Sequence, residues 1–276
     1  MSEPLTLMAV HAHPDDEAIG TGGILARYAA EGIRTVLVTC TNGELGDSPA
    51  GAKPDHDEHD IEETVHTRLA ELRGSCAALH VAHLELLGYQ DSGMMGWAQN
   101  DNPGSFWQAP VDEAAQRLAA LMERYRPQVV VTYDDNGFYG HPDHIQAHRI
   151  TLAAAEATGI PAKVYFTAVS REDVATFFER VREAGLEPPG ADELGEADAP
   201  PFGIADELIT TRIDVSGVVR AKRASMEAHA SQMDSSFFLK MPEEVFEMIF
   251  SRESFVRHSD RTGAPTPEDD LFAGLR

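Results

Sequence analysis

Short apolar runs alternate with segments of helical spacing along the first two thirds of the chain. Leu5 to Val10 is mostly apolar, rich in Leu, Val and Met, and of the length of a buried strand. Ala18 to Ala30 places Ile19, Ile24, Leu25 and Tyr28 at roughly helical spacing and is closed by Gly32, a natural helix stop. Thr35 to Cys40 predicts a second strand. Strand, helix, strand is the βαβ unit, which implies a parallel sheet with helices on its faces. Further along, Ile61 to Leu79 and Val111 to Tyr125 predict helices, and His83 to Leu87 and Val129 to Tyr133 predict strands. Asp143 to Thr158, Lys163 to Val169 and Arg171 to Ala184 then predict helix, strand and helix.

Two stretches, Thr41 to Asp60 and Gly88 to Pro110, have no periodicity, and loops of this length in a compact domain usually carry function. After residue 185 the pattern breaks: 186–203 is acidic with four prolines and predicts a surface linker. Beyond it, Leu208 to Val215 predicts a strand, and Val218 to Gln232 and Glu243 to Val256 predict helices. The polar residues after His258, with two prolines, are expected to fray. The expectation is a single α/β domain over 1–276 with a Rossmann-like, mainly parallel sheet and helices on both faces. Its core is 1–185, and 204–276 form a C-terminal extension.

Charge narrows the choice of partner. Asp and Glu number 46 against 22 Lys and Arg, a formal net charge of -24 that repels phosphate backbones and anionic lipid surfaces. Nucleic-acid and membrane binding are therefore not expected. No run approaches the roughly 18 to 20 apolar residues of a membrane span, and the N-terminus lacks a basic region followed by an apolar run, so a cytoplasmic location is expected. Cys40 and Cys76 form no C-x-x-C pair and predict buried small hydrophobes.

The candidate chemistry sits at two strand ends. His11, His13, Asp15, Asp16 and Glu17 follow the first predicted strand, and His141, Asp143 and His144 follow the strand at 129–133. In open α/β sheets ligands bind beyond the carboxyl ends of the strands, so the topology can bring the two groups together. A catalytic zinc takes three ligands from His, Asp or Glu and leaves a fourth position to water. In HPDH the proline restricts the turn, so His141 and His144 need not face the same atom. Capping and dipole effects explain one acidic pair before a helix, but not two HPD triplets after two strands. Gly20, Gly22 and Gly23 are no dinucleotide fingerprint, since Leu25 stands where the last glycine belongs and no acid ends the second strand. They suggest close helix packing or a backbone near the site. Neither G-x-S-x-G nor H-E-x-x-H occurs.

HAHPDDEAIGTGGILARY resembles the opening motif of the PIG-L/LmbE-like N-acetylglucosaminyl deacetylases, and VVTYDDNGFYGHPDHIQAH resembles their second motif. The likeness runs through ELLGYQDSGM to AKRASMEAHASQ and is closest to the actinobacterial mycothiol enzymes, the GlcNAc-inositol deacetylase and the mycothiol conjugate amidase. It implies zinc held by His13, Asp16 and His144, with His11 only a neighbour and Asp15 the general base; imidazole and carboxylate ligands also suit Fe2+, an alternative metal in cells. It implies that His141 stabilises charge at the reacting centre or protonates the leaving amine, that Asp143 holds its ring, and that Tyr139 is an oxyanion donor. Arg68 and Asp91 match sugar-contacting positions. The implied activity is hydrolysis of an N-acyl amide on an amino-sugar conjugate. The alternatives are a thiol-conjugate amidase, a deacetylase of a glycosylated natural product, and a metal-containing sugar-binding module whose site would be closed by four ligands. AIGTGG replaces the serine-rich variant of the mycothiol branch, and the acidic 41–60 loop has its own histidines, which suggest either a second metal patch or plain surface.

Overall fold

A computed structural model of the chain describes residues 4–187, 202–233 and 237–276. Most of the predicted 186–203 linker thus lies outside the described residues. Five parallel strands form the body of one sheet: β1 (Thr6–His11), β2 (Arg34–Thr41), β3 (His83–Tyr89), β4 (Val129–Thr132) and β5 (Lys163–Ala168). Two more strands, β6 (Thr211–Asp214) and β7 (Arg252–Asp260), join antiparallel, giving the order β3-β2-β1-β4-β5-β7-β6. The α/β, mainly parallel expectation is met.

The short apolar runs make strands because both faces of the sheet are covered. Along β1, Leu7 and Ala9 enter one core with Ile24, Leu72 and Tyr165, while Met8 and Val10 enter a second with Leu118, Met122 and Ile150. A strand buried on both faces needs no polar alternation. The helices divide accordingly: α1 (Asp16–Gly20), α2 (Gly22–Ala30) and α3 (Ile61–Ala78) follow the first strands, and α4 (Val111–Tyr125) packs on the opposite face. A distorted turn α5 (Gly137–Gly140) leads into α6 (Pro142–Thr158), which lies beside α4; then come α7 (Arg171–Glu183) and α8 (Val219–Ala228). No helix among the described residues is long and apolar enough to cross a membrane. Cys40 and Cys76 are buried thiols, as expected.

Three predicted elements differ. The helix expected over 18–30 is two pieces meeting at Thr21, whose hydroxyl reaches the His11 ring. The helix expected over 243–256 ends at Phe250, and Arg252 begins β7, whose Phe255 is fully buried against the sheet. The tail after His258 does not fray: Leu271 and Phe272 are buried, and Glu268 receives Lys163 Nζ at 2.5 Å and Tyr165 Oη at 2.9 Å. Lys163 is fully buried, so the tail supplies the carboxylate that its ammonium requires.

β1 neighbours both β2 and β4, and the chain runs outward in opposite directions from that pair. This is the switch point at which open α/β sheets open a crevice. The HPDD segment leaves β1 there, and the segment carrying HPDH leaves β4 there.

Candidate active site

Two histidines meet at the crevice with their ring protons directed away from each other. His13 Nε2 lies 3.3 Å from Asp143 Oδ2 and 3.6 Å from Asp91 Oδ1, acceptors that put a proton on Nε2 and leave Nδ1 free to ligate once that nitrogen is deprotonated. His144 Nδ1 lies 3.2 Å from the Gly137 carbonyl, which can only accept, so the His144 lone pair is on Nε2. His13 Nδ1 and His144 Nε2 stand 3.3 Å apart. Asp16 completes the set, with Oδ2 3.3 Å from His13 Nδ1 and Oδ1 3.5 Å from His144 Nε2. Ligand atoms about 2.0 to 2.1 Å from a tetrahedral zinc are about 3.3 to 3.4 Å apart, so the donor set fits such a cation. Two imidazole nitrogens and a carboxylate this close together are held by positive charge, either a cation or a proton on His13. Burial lowers the His13 pKa, but Asp91, Asp143 and Asp16 outweigh it and raise it well above the ordinary value, while burial pushes His144 down to about 4.

Looser groupings within 4.8 Å join His13 to His141 and His144, or to Asp91, His141 and Asp143. Hydrogen bonding argues against them. His141 Nδ1 already accepts the Asp143 backbone N–H at 3.1 Å, and Asp91 and Asp143 face the protonated nitrogen of His13. A carboxylate behind a ligand imidazole fixes its tautomer and orientation, the arrangement common around zinc. Among the described residues the groupings able to hold a metal all lie here, and His59 in the 41–60 loop turns Nε2 to the Gly46 carbonyl.

Local sequence sets this geometry. Pro142 occupies the first turn of α6, where its missing N–H costs nothing, and His141 caps the helix. Gly137 has φ 60°, and a Cβ there would stand 2.7 Å from His144 Cβ; only glycine lets its carbonyl meet the His144 ring. Tyr133 at the end of β4 donates its hydroxyl to Asp16 Oδ2 at 2.7 Å and stacks on His144. The long 88–110 loop folds its Ser92 onto Asp143 through both N–H and Oγ, at 2.8 and 2.5 Å.

The remaining candidates surround this centre. Asp15 is partly exposed, and burial pushes its carboxyl up to about 6 against the pull of Arg68, whose Nη2 is 3.2 Å away. Its φ of 114° lies in the left-handed region, a state costing a non-glycine residue about 1 to 3 kcal/mol and kept only where contacts over-determine it. Arg68 also donates to the carbonyls of Gly43 and Pro14 at 2.5 and 2.6 Å. It is a buried clamp on the Asp15 turn and not a surface pair. Asp91 accepts the Gly93 N–H at 2.8 Å beside His13. His141 is buried, and Tyr139 is half exposed with its ring 5.0 Å from His144. His11 is a buried neighbour 3.2 Å from the Tyr133 hydroxyl. One expected contact is corrected: Asp143 does not hold the His141 ring with its carboxylate, because that carboxylate is spent on His13 and Ser92. Tyr133, Ser92 and His229 were not singled out from sequence, and Glu17 appeared only as a spare ligand. Tyr133 had a signal, since it lies inside the second motif.

The glycines at α2 have a packing explanation. Glu253 on β7 accepts the N–H groups of Gly23 and Ile24 at 2.7 and 2.8 Å and pairs with Lys222 Nζ at 2.5 Å. The helix start that would cradle a phosphate in a dinucleotide fold is filled by a carboxylate of the chain itself.

Comparison with known proteins places the chain in a family. The family model described as PIG-L, GlcNAc-PI de-N-acetylase, matches residues 8–155. The 1D-myo-inositol 2-acetamido-2-deoxy-alpha-D-glucopyranoside deacetylase of Salinispora arenicola is 43% identical, over 98% of this chain and 91% of that protein. Among solved structures, the N,N'-diacetylchitobiose deacetylase of Pyrococcus horikoshii has a TM-score of 0.55 at 16% identity, covering 91% of this chain and 83% of its own. A 4-carboxy-2-hydroxymuconate hydratase from Pseudomonas putida has a TM-score of 0.60 at 18% identity, covering 95% and 99%. At such identities these two share the fold alone, and a hydratase on the same fold shows that fold does not choose the reaction. Membership rests on the family model and the close relative: the chain belongs to the PIG-L family of GlcNAc-PI de-N-acetylases and is a metal-dependent amide hydrolase.

Proposed function

We propose that this enzyme is a zinc deacetylase that removes the N-acetyl group from a GlcNAc conjugate, with GlcNAc-inositol its preferred substrate and Fe2+ an alternative metal in cells. The observation that carries this is the convergence of His13 Nδ1, His144 Nε2 and the Asp16 carboxylate beside a carboxyl, Asp15, whose pKa is raised towards neutrality. The relative from Salinispora supports the substrate class. A divalent cation at this position supplies Lewis acidity, bringing the pKa of water towards about 7 and polarising an amide carbonyl.

The side chains then divide the work. Asp15, with a pKa of about 6, is suited to take a proton from water and to return one to the departing amine near neutral pH. Burial, together with His13 and His144, pushes His141 down to about 3. His141 is therefore neutral at pH 7, and because Nδ1 accepts the Asp143 N–H, Nε2 carries the ring proton. It acts as a hydrogen-bond donor to charge developing at the reacting centre. Tyr139 is the second donor: burial raises its hydroxyl pKa, so the proton stays on. An oxyanion donor is typically worth about 100- to 1,000-fold. Arg68 and Asp91, buried charged groups beside Asp15 and His13, are the sugar contacts in this scheme. A net charge of -24 suits an uncharged sugar.

The test is release of acetate and free amine from GlcNAc-inositol, GlcNAc and an N-acetylated alkylamine by the zinc-loaded enzyme. Because a site that hydrogen-bonds hydroxyls rejects analogues lacking them, the sugar conjugate is expected to exceed the alkylamine in kcat/KM by about 10,000-fold. Asp15→Ala should retain metal and lose at least about 100-fold in kcat, whereas Asp16→Ala should lose metal. Equal kcat/KM on sugar and alkylamine would refute the amino-sugar substrate. Loss of metal from Asp15→Ala, with Asp16→Ala retaining it, would exchange the roles of the two carboxylates.

A further inference from the structure

The Asp15 backbone is held from behind by a buried relay that reaches into the C-terminal third of the chain. Glu17 Oε2 accepts the Asp15 N–H at 3.1 Å, while its Oε1 receives the Ser75 hydroxyl at 2.5 Å and faces His229 Nε2 at 2.7 Å. Glu17 and His229 are both fully buried. His229 Nδ1 has no hydrogen-bond partner among the described residues, so Glu17 is the side chain that His229 serves. Replacing buried ionic pairs by well-packed apolar residues is often neutral or stabilising. A buried Glu–His pair kept beside a strained turn is therefore poorly explained by packing.

His229 also has a fixed mounting. It lies just after α8, where Ser231 donates N–H and Oγ to the Glu71 carboxylate, both at 2.7 Å, and Gln232 Nε2 donates to the Asp47 carbonyl at 2.9 Å. The segment is anchored to α3 and to the 41–60 loop independently of the imidazole. Removing the ring leaves those anchors in place.

We propose that His229 is a positioning residue for Asp15, acting through Glu17 to fix the Asp15 backbone and hence the direction in which its carboxylate faces the reacting centre. The inference rests on Asp15 being the general base. Loss of Glu17 support lets the turn leave its left-handed conformation, and displacement of a catalytic group by about 1 Å can cost on the order of 100-fold.

The experiment is a double-mutant cycle on the zinc-loaded enzyme, reading kcat, KM and bound metal for wild type, His229→Ala, Asp15→Ala and the double variant. His229→Ala is expected to retain its metal, keep KM within about threefold and lose about 100-fold in kcat. In the Asp15→Ala background it should cost less than about twofold, because both act through one carboxylate. His229→Gln, whose amide can still donate to Glu17, should recover most of the loss. If His229→Ala does not fold, Glu17→Gln and His229→Gln are carried through the same cycle. Equal losses in both backgrounds, wild-type kcat in His229→Ala, or a loss confined to KM or to metal content would overturn the proposal. If Asp15→Ala itself retained wild-type kcat, the general-base assignment would be what failed.

Discussion

A Cβ at Gly23 would stand 2.7 Å from Val215 Cγ2 and 2.8 Å from Glu253 Oε1, closer than real side chains approach. At Gly74, on the exposed side of α3, it would meet only Ala228 Cβ at 3.4 Å. The same substitution should therefore have opposite signs at the two sites. Gly74→Ala should stabilise by about 0.5 to 1 kcal/mol through the lost freedom of the unfolded chain. Gly23→Ala should destabilise by about 1 to 3 kcal/mol through overpacking, and paired thermal melts measure both. At this scale the sequence was legible wherever function and spacing coincide. His13, Asp16 and His144 lie in two motifs of one composition, each following a strand, and the structure brings them within hydrogen-bonding distance of one another. Glu17 and His229 were not legible as a pair because 212 residues separate them and neither position alone shows a partner. The resemblance pairs Asp143 with His141, two residues before it, whereas its carboxylate reaches back 130 residues to His13.

Among the elements, α2 and β7 depend on one another. Glu253 supplies the acceptor for two N–H groups at the start of α2 and the counter-charge for the buried Lys222 ammonium, which also donates to the Ile19 carbonyl. Glu253→Ala strands that ammonium and should cost about 3 to 5 kcal/mol. Adding Lys222→Met removes the stranded charge and should restore at least about half of the loss. Urea denaturation of the two variants tests this, and no recovery in the double variant would mean that the helix N–H groups, not the charge, dominate. β1, β2 and β4 were legible because strands buried on both faces are nearly continuous apolar runs, whereas the half-exposed β3 shows only a shorter one. The antiparallel edge was not: 243–250 and 252–260 form one segment of mixed apolar spacing in which a helix continues as readily as a strand starts. What selects the strand is the open edge of β5, which pairs with six residues of β7. The buried tail was missed for a similar reason, since Leu271 and Phe272 are two apolar residues in a polar stretch and their pocket is built by distant elements.

For the whole molecule, the proposed metal ties the ends of β1 and β4 together. A ligand that binds only the folded state at about 1,000 times its Kd adds about 4 kcal/mol, and each kcal/mol is worth about 2 to 4 °C in a chain of this size. Zinc saturation should raise Tm by about 8 to 16 °C over chelated protein, and in His13→Ala the Tm should be insensitive to chelator. An equal shift in His13→Ala would move the metal elsewhere. The span of the Glu17–His229 contact has a temporal consequence as well. Chains leave the ribosome at about 5 to 20 residues per second, so the 212 residues between these partners take roughly 10 to 40 s to appear. His144, only 131 residues after His13, emerges well before His229. During synthesis, then, the three proposed metal donors have all appeared while the turn bearing Asp15 still lacks its contact to His229 through Glu17.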